Sequence, residues 1–326
     1  MTRESMMSRV PRHVMLSACL VGCGADGDAG VIENPFVSEG AATASSGEAG
    51  STSEAGGDAS TGGSTGGSST GEPAPSGPPV DVVFVIDNSI EESIADFQLS
   101  DAHERIIDAA PALLERLESA LPGVSLHVGV VTGDAYAPNG DAGSGCDALP
   151  GLVRSTVFAD CGPYVSGRNY MASGDDFESG LACAARVGVF GDAATRVGEA
   201  TLQLVEGDLA GPGLCNEGFL RDDAWLLVVL VADGDETDET GHPDDWQARW
   251  AAARGGNDRS FVVSLIDPLG PPCDGNAIAN EDGAKFALFT SGFGERGMQL
   301  PICDLDYRPG LLDAADRLST LIADDG

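Results

Sequence analysis

Val80-Asp81-Val82-Val83-Phe84-Val85-Ile86-Asp87-Asn88-Ser89 is the stretch that decides the fold. Its nearly unbroken β-branched and aromatic run suits a central parallel strand buried on both faces, because a half-exposed strand would alternate apolar with polar residues. The run ends in Asp87-Asn88-Ser89. The next stretch, Ile94 to Leu121, carries Ile106, Ala109, Ala110, Leu113, Leu114 and Leu117 at helical spacing, with Pro111 as a kink point. Ser125 to Thr132 is strand-like again, which completes a βαβ unit.

Further along, Ala224 to Ala232 is a second strongly buried strand and ends at Asp233; Ser260 to Ile266 is a third, and Met298 to Ile302 a shorter one. Helical patterns occupy Asp176 to Val187, Arg196 to Val205, Asp244 to Arg254, Ala284 to Ser291 and Pro309 to Ile322. This alternation predicts an α/β fold, a doubly wound and mostly parallel central sheet flanked by helices, over residues 80–326. Gly133 to Tyr170 lacks periodicity and reads as a long excursion with a short hairpin near Leu152 to Phe158.

Six cysteines fall in this domain: Cys146, Cys161, Cys183, Cys215, Cys273 and Cys303. In an exported chain an even number implies disulfides, three in this case. Fifteen pairings are open to six cysteines; joining sequence neighbours would give Cys146–Cys161, Cys183–Cys215 and Cys273–Cys303. Zinc is disfavoured, since there is no Cys-x-x-Cys pair and neither His127 nor His242 stands at ligand spacing from a cysteine.

Residues 24–79 are dominated by Ser, Gly, Ala, Thr and Glu, with eight carboxylates and no Lys or Arg. So few large apolar side chains cannot offset chain entropy, so the segment reads as a disordered stalk. From Val80 on there are 43 acidic and 14 basic side chains, a balance of 29 negative charges. Such a surface repels nucleic acid and anionic lipid, which leaves cations or basic proteins as the partners that charge favours.

The N-terminus carries Arg3, Arg9 and Arg12, then a short apolar run, Val14 to Val21, and Leu20-Val21-Gly22-Cys23. The run is too short to span a bilayer, and the small residues before Cys23 resemble a lipobox. The resemblance implies that residues 1–22 are a lipoprotein signal peptide, that Cys23 is acylated, and that residues 23–79 form a lipid-anchored stalk. An ordinary secretory signal with an incidental cysteine is the alternative; either exports the protein. Gly24, in place of an aspartate that would retain it in the inner membrane, directs the expectation to the outer membrane or cell surface.

Two buried strands that end in Asp87-Asn88-Ser89 and Ala232-Asp233-Gly234 resemble the von Willebrand factor A domain. Phe177-Glu178-Ser179-Gly180-Leu181, Asn216 to Ala224 and Ile302-Cys303-Asp304 add a likeness to exported, cysteine-bearing members of that superfamily in myxobacteria and their relatives. The resemblance implies an adhesion or binding module with a protein ligand. It also implies a metal-ion-dependent adhesion site for Mg, Mn or Ca at the carboxyl edge of the sheet, drawn from Asp87, Ser89, Glu91, Glu178 and Asp233. Asp87, Ser89 and Asp233 match the family pattern. Glu91 replaces a serine, and Phe177 or Glu178 stands where a threonine hydroxyl is expected. Glu91 either ligates the ion, in the place of a partner's carboxylate, or lies on the surface of a vestigial site in a structural envelope protein. The acidic run Asp233 to Glu239 lacks the glycine and closing glutamate of an EF-hand loop and reads as a solvated loop.

No Gly-x-Ser-x-Gly elbow, phosphate-binding glycine loop or dinucleotide fingerprint stands out. Carboxylate pairs such as Glu91 and Glu92 are what chance supplies in so acidic a chain, so a hydrolase is the least favoured class. The expectation is a binding protein without catalysis.

Overall fold

The computed structural model describes residues 76–90, 99–142, 145–191, 196–233, 241–266 and 283–325. All lie within one compact unit, Ser68–Gly326. The leader, Cys23, nearly all of the stalk, Glu91, the acidic run from Gly234 to Glu239, and Cys273 lie outside the described residues.

Six strands form one sheet: β1 (Pro79–Ile86), β2 (Ser125–Thr132), β3 (Met171–Ala172), β4 (Trp225–Val231), β5 (Ser260–Ile266) and β6 (Gly297–Pro301). Their order is β3-β2-β1-β4-β5-β6, and only β3 runs antiparallel. The helices are α1 (Leu99–Ala120), α2 (Phe177–Ala184), α3 (Val197–Val205), α4 (Pro243–Arg254), α5 (Gly283–Ser291) and α6 (Arg308–Asp325). This is the doubly wound α/β architecture of the von Willebrand A and Rossmann-like class.

Strand alternation builds a core on each face. Val80, Val82, Phe84 and Ile86 of β1 face the core shared with α1, α2 and α6, while Val83 and Val85 face the core shared with α3, α4 and α5. On the second face Trp246 and Trp250 meet Phe289 edge to face at ring separations of 5.8 and 5.9 Å. Truncating fully buried Trp250 to alanine would cost about 3–5 kcal/mol. α4 starts with His242 as N-cap in a reciprocal capping box with Asp245, followed by Pro243, and stops at Gly255, whose φ of 71° is left-handed. His242, which stands at no ligand spacing to a cysteine, is thus a capping residue.

The excursion after β2, which holds one short 3-10 helix at Ala137–Ala142, is held mainly by buried amides. Asn139 donates to the carbonyls of Cys146 and Leu152 at 2.8 and 2.7 Å and accepts from the N–H groups of Arg154 and Ser155. Asn216 accepts from Leu152 N–H at 3.0 Å and donates to the carbonyls of Pro150 and Asp208. The expected hairpin is reduced to a single antiparallel bridge, Ser155 with Asp160. Gly129 in β2 admits this layer: a Cβ there would lie 2.5 Å from Leu152 and 2.9 Å from the ring of Phe219.

The disulfides correct the neighbour pairing. Cys146 bonds Cys215, and Cys161 bonds Cys183, so the second loop nests within the first. The excursion folds back beside the segment that precedes β4, which brings distant cysteines together and separates sequence neighbours. Cys303 is also disulfide-bonded. Disulfides persist in oxidising compartments, as befits an exported protein. Among the described residues no helix is long and apolar enough to cross a membrane.

Candidate binding site at the carboxyl edge of the sheet

β1 and β4 lie side by side at the point where the strand order reverses: the chain winds from β1 toward β3 on one side and from β4 toward β6 on the other. In open α/β sheets the crevice beyond the carboxyl ends of such strands is where ligands bind. Asp87 and Asp233 leave those two ends. The backbone ladder carries past the strands, with Asp87 N–H donating to the Val231 carbonyl at 2.9 Å and Ala232 N–H to that of Leu265 at 3.1 Å. The register Ile86 with Val231 then places Asp233 one residue beyond the position opposite Asp87.

The turn after β1 is built from its own polar side chains. Asp87, 1% exposed, accepts the Ser89 N–H on Oδ1 at 2.8 Å, an Asx-turn that holds the chain as it leaves the sheet. Its carbonyl accepts from Nε2 of buried His103 on α1 at 2.7 Å. Asn88 donates from Nδ2 to Oδ1 of Asp134 at 2.7 Å, and its carbonyl accepts the Gly191 N–H at 2.7 Å. Asn88 Oδ1 is buried without a hydrogen-bond partner, which is uncommon in a folded protein and costs free energy unless a ligand, ion or water meets it. Gly191 is required by this packing, because a Cβ would lie 2.5 Å from Oδ2 of Asp134 and 2.6 Å from Nδ2 of Asn88.

Of the residues implied by the resemblance, Asp87, Ser89 and Asp233 lie at this edge in sequence order after β1 and β4, and Glu91 lies outside the described residues. Glu178 is placed elsewhere. It is exposed on the first turn of α2 and lines a groove with residues of α1 and α6. Arg186, just past the other end of α2, is the residue that meets Glu104 near the start of α1, at 3.1 Å. Glu178 is eight residues earlier, about 12 Å along a helical path. α2 begins that far down because β3, which precedes it, pairs with His127 and Val128 toward the amino half of β2.

Hard oxygen donors at this edge suit Mg, Mn or Ca in kind, and the orphaned Asn88 oxygen adds a neutral donor of the same type. Among the described residues no three acidic, His or Cys groups come together at metal-binding distance. Asp134, Asn88 and Gly191 are neighbours of Asp87 outside the residues that the resemblance implies. Asp134 was open to the same logic as Asp87, a carboxylate just past a buried strand; Gly191 carries no such signal.

The opposite edge holds a second buried ionic group. Asp81, fully buried in β1, accepts from Arg221 N–H at 2.7 Å and from its Nε at 2.8 Å. Arg221 also donates to Ser125 Oγ and to the carbonyls of Val80 and Ser125, which ties the amino ends of β1 and β2 to the segment before β4. Burial pushes the Asp81 carboxyl up to about 6 against the opposing pull of Arg221. Burial likewise lowers His127 to about 4, against the opposing hydrogen bond to Phe219 and with the Arg221 charge adding to the fall; its ring lies 3.7 Å from Asp81. The His127 Nδ1–H donates to the Phe219 carbonyl at 2.8 Å. In the segment Asn216 to Ala224, Asn216 braces the excursion, Phe219 fills the space over Gly129, and Arg221 grips Asp81. These roles are structural.

No protein-family model matches the chain, and no curated protein matches it. Among solved structures it is similar to proximal thread matrix protein 1 from the mussel byssus. One crystal form is 12% identical over 74% of this chain and 48% of that one, with a TM-score of 0.40. A further structure of the same protein is 11% identical over 74% of this chain and 47% of that one, also at 0.40. The chain spans about half the length of that protein.

Proposed function

We propose that the domain is a non-catalytic binding module of an exported, lipid-anchored surface protein, and that it takes a protein ligand at the carboxyl edge of its sheet. A divalent cation held by Asp87, Ser89 and Asp233, with Glu91 as a further ligand, is the bridging element in this reading. The observation that carries it is the position of Asp87 and Asp233 at the ends of β1 and β4, the two strands that flank the reversal of strand order. The buried, unpartnered Asn88 oxygen beside them supports a polar occupant.

Calorimetric titration of the chain with Mg²⁺, Mn²⁺ and Ca²⁺, beside Asp87→Ala and Asp233→Asn, tests the metal. Saturable heat lost in both variants is expected; no heat and no shift of melting temperature with any ion would defeat it. The second reading is a structural envelope protein with a vestigial site. It is favoured by the internal use of Asp87, whose carboxylate already accepts the Ser89 N–H.

A further inference from the structure

A groove of about 970 Å³ runs between α1, α2 and α6, on the flank of the domain. Its floor is apolar and low, made by Ile107, Pro111, Ala112, Ala182 and Leu312. The arginines around it are engaged within the protein. Arg116 pairs with Asp316, Arg186 pairs with Glu104 through two bonds of 3.1 Å, and Arg308 donates to the Asp108 carbonyl. Among the described residues, that leaves the exposed carboxylates of Asp108, Glu115 and Glu178 without an ion-pair partner. Against these three charges stands, among the described residues lining the groove, one arginine, Arg308, in no ion pair. Asp108 and Glu115 are seven residues apart on α1, two turns and about 10 Å along one helix face, and Glu178 faces them from α2.

We propose that this groove docks a basic amphipathic segment of a partner protein, whose Lys or Arg side chains meet Asp108, Glu115 and Glu178 and whose apolar face covers the small-residue floor. Charge complementarity selects this occupant. The stalk, residues 24–79, has no Lys or Arg to offer, and nucleic acid or anionic lipid would bring charge of the wrong sign. A helix with cations two turns apart matches the spacing of Asp108 and Glu115, and the apolar floor distinguishes such a segment from a diffuse counter-ion cloud. The site is independent of any metal at the carboxyl edge.

The test uses the full chain and a fluorescein-labelled Leu/Lys peptide patterned as an amphipathic helix, read by fluorescence anisotropy in EDTA at physiological salt. A Ser/Lys peptide of equal charge is the comparison. The triple variant Asp108→Asn, Glu115→Gln, Glu178→Gln is measured against a control triple of equal charge change away from the groove, Asp147→Asn, Glu295→Gln, Asp324→Asn. Loss of three partly exposed pairs predicts binding weaker by about tenfold in the groove triple, with little change in the control and unaltered melting of both. Equal weakening in the two triples, no weakening in the groove triple, or equal binding of the Ser/Lys peptide would overturn the proposal.

Discussion

Arg221 grips Asp81 with both its backbone N–H and its side chain, 140 residues along the chain, and so closes the amino edge of the sheet around a fully buried carboxylate. A buried charge is tolerated only when paired and hydrogen-bonded, so the two residues stand or fall together.

Arg221→Ala leaves Asp81 buried and unpaired and is expected to destabilise the domain by about 3–5 kcal/mol. A double variant, Asp81→Val with Arg221→Met, removes both charges and should recover most of that loss. Thermal melts of the three proteins check this; a single variant that melts with the wild type would refute it.

The pH dependence follows from two opposed shifts at the same edge. His127, lowered to about 4, withholds stability as pH falls from its unfolded value of 6.5 toward 4, because the unfolded chain takes up the proton first. Asp81, raised to about 6, adds stability as pH falls from 6 toward 3.8, because the folded chain takes up the proton first. The slopes largely offset in the wild type between pH 6 and 4. His127→Gln should therefore gain stability on acidification across that window relative to wild type, and Asp81→Asn should lose it; urea midpoints at several pH values would show parallel behaviour if the pair were inert.

Cys146–Cys215 spans 69 residues and is buried, whereas Cys161–Cys183 spans 22 and is partly exposed. By loop entropy, removing the first with alanines costs about 4 kcal/mol and the second about 3, with less than additive loss because the loops are nested. Mild reduction followed by alkylation should label Cys161 and Cys183 first. Early labelling of Cys146 would contradict the burial described.

Gly191→Ala places a methyl group against Asp134 and Asn88 and is expected to cost about 1–3 kcal/mol. If the carboxyl edge holds a cation, its affinity should fall along with the stability, since the Asn88–Asp134 bond holds the turn after β1. Calorimetry of a variant that still folds and binds ions like the wild type would separate this turn from the site.

Cys23→Ala should release the protein from membranes into the soluble fraction if that cysteine is acylated. Fractionation after expression in a two-membrane bacterium reads this directly, and retention of the variant would point to another anchor.

Periodicity made the elements legible. The buried runs at Val80, Ala224 and Ser260 are strands within a residue of the expected bounds, because both faces of a parallel strand are covered and local hydrophobicity reports that burial. Asp87 and Asp233 were legible as strand ends for the same reason. β3 was not, because its two residues pair only once the excursion has folded back. The disulfide partners, the grip of Arg221 on Asp81 and the displacement of Glu178 into the groove were likewise beyond local pattern. Sequence by itself determined the long buried strands, the helices between them and the polar residues that end them, since those depend on neighbours a few positions away. Only the tertiary structure decided which of those polar residues meet, because contacts across 69 or 140 positions depend on how the excursion packs against the sheet and leave no periodic trace in the chain.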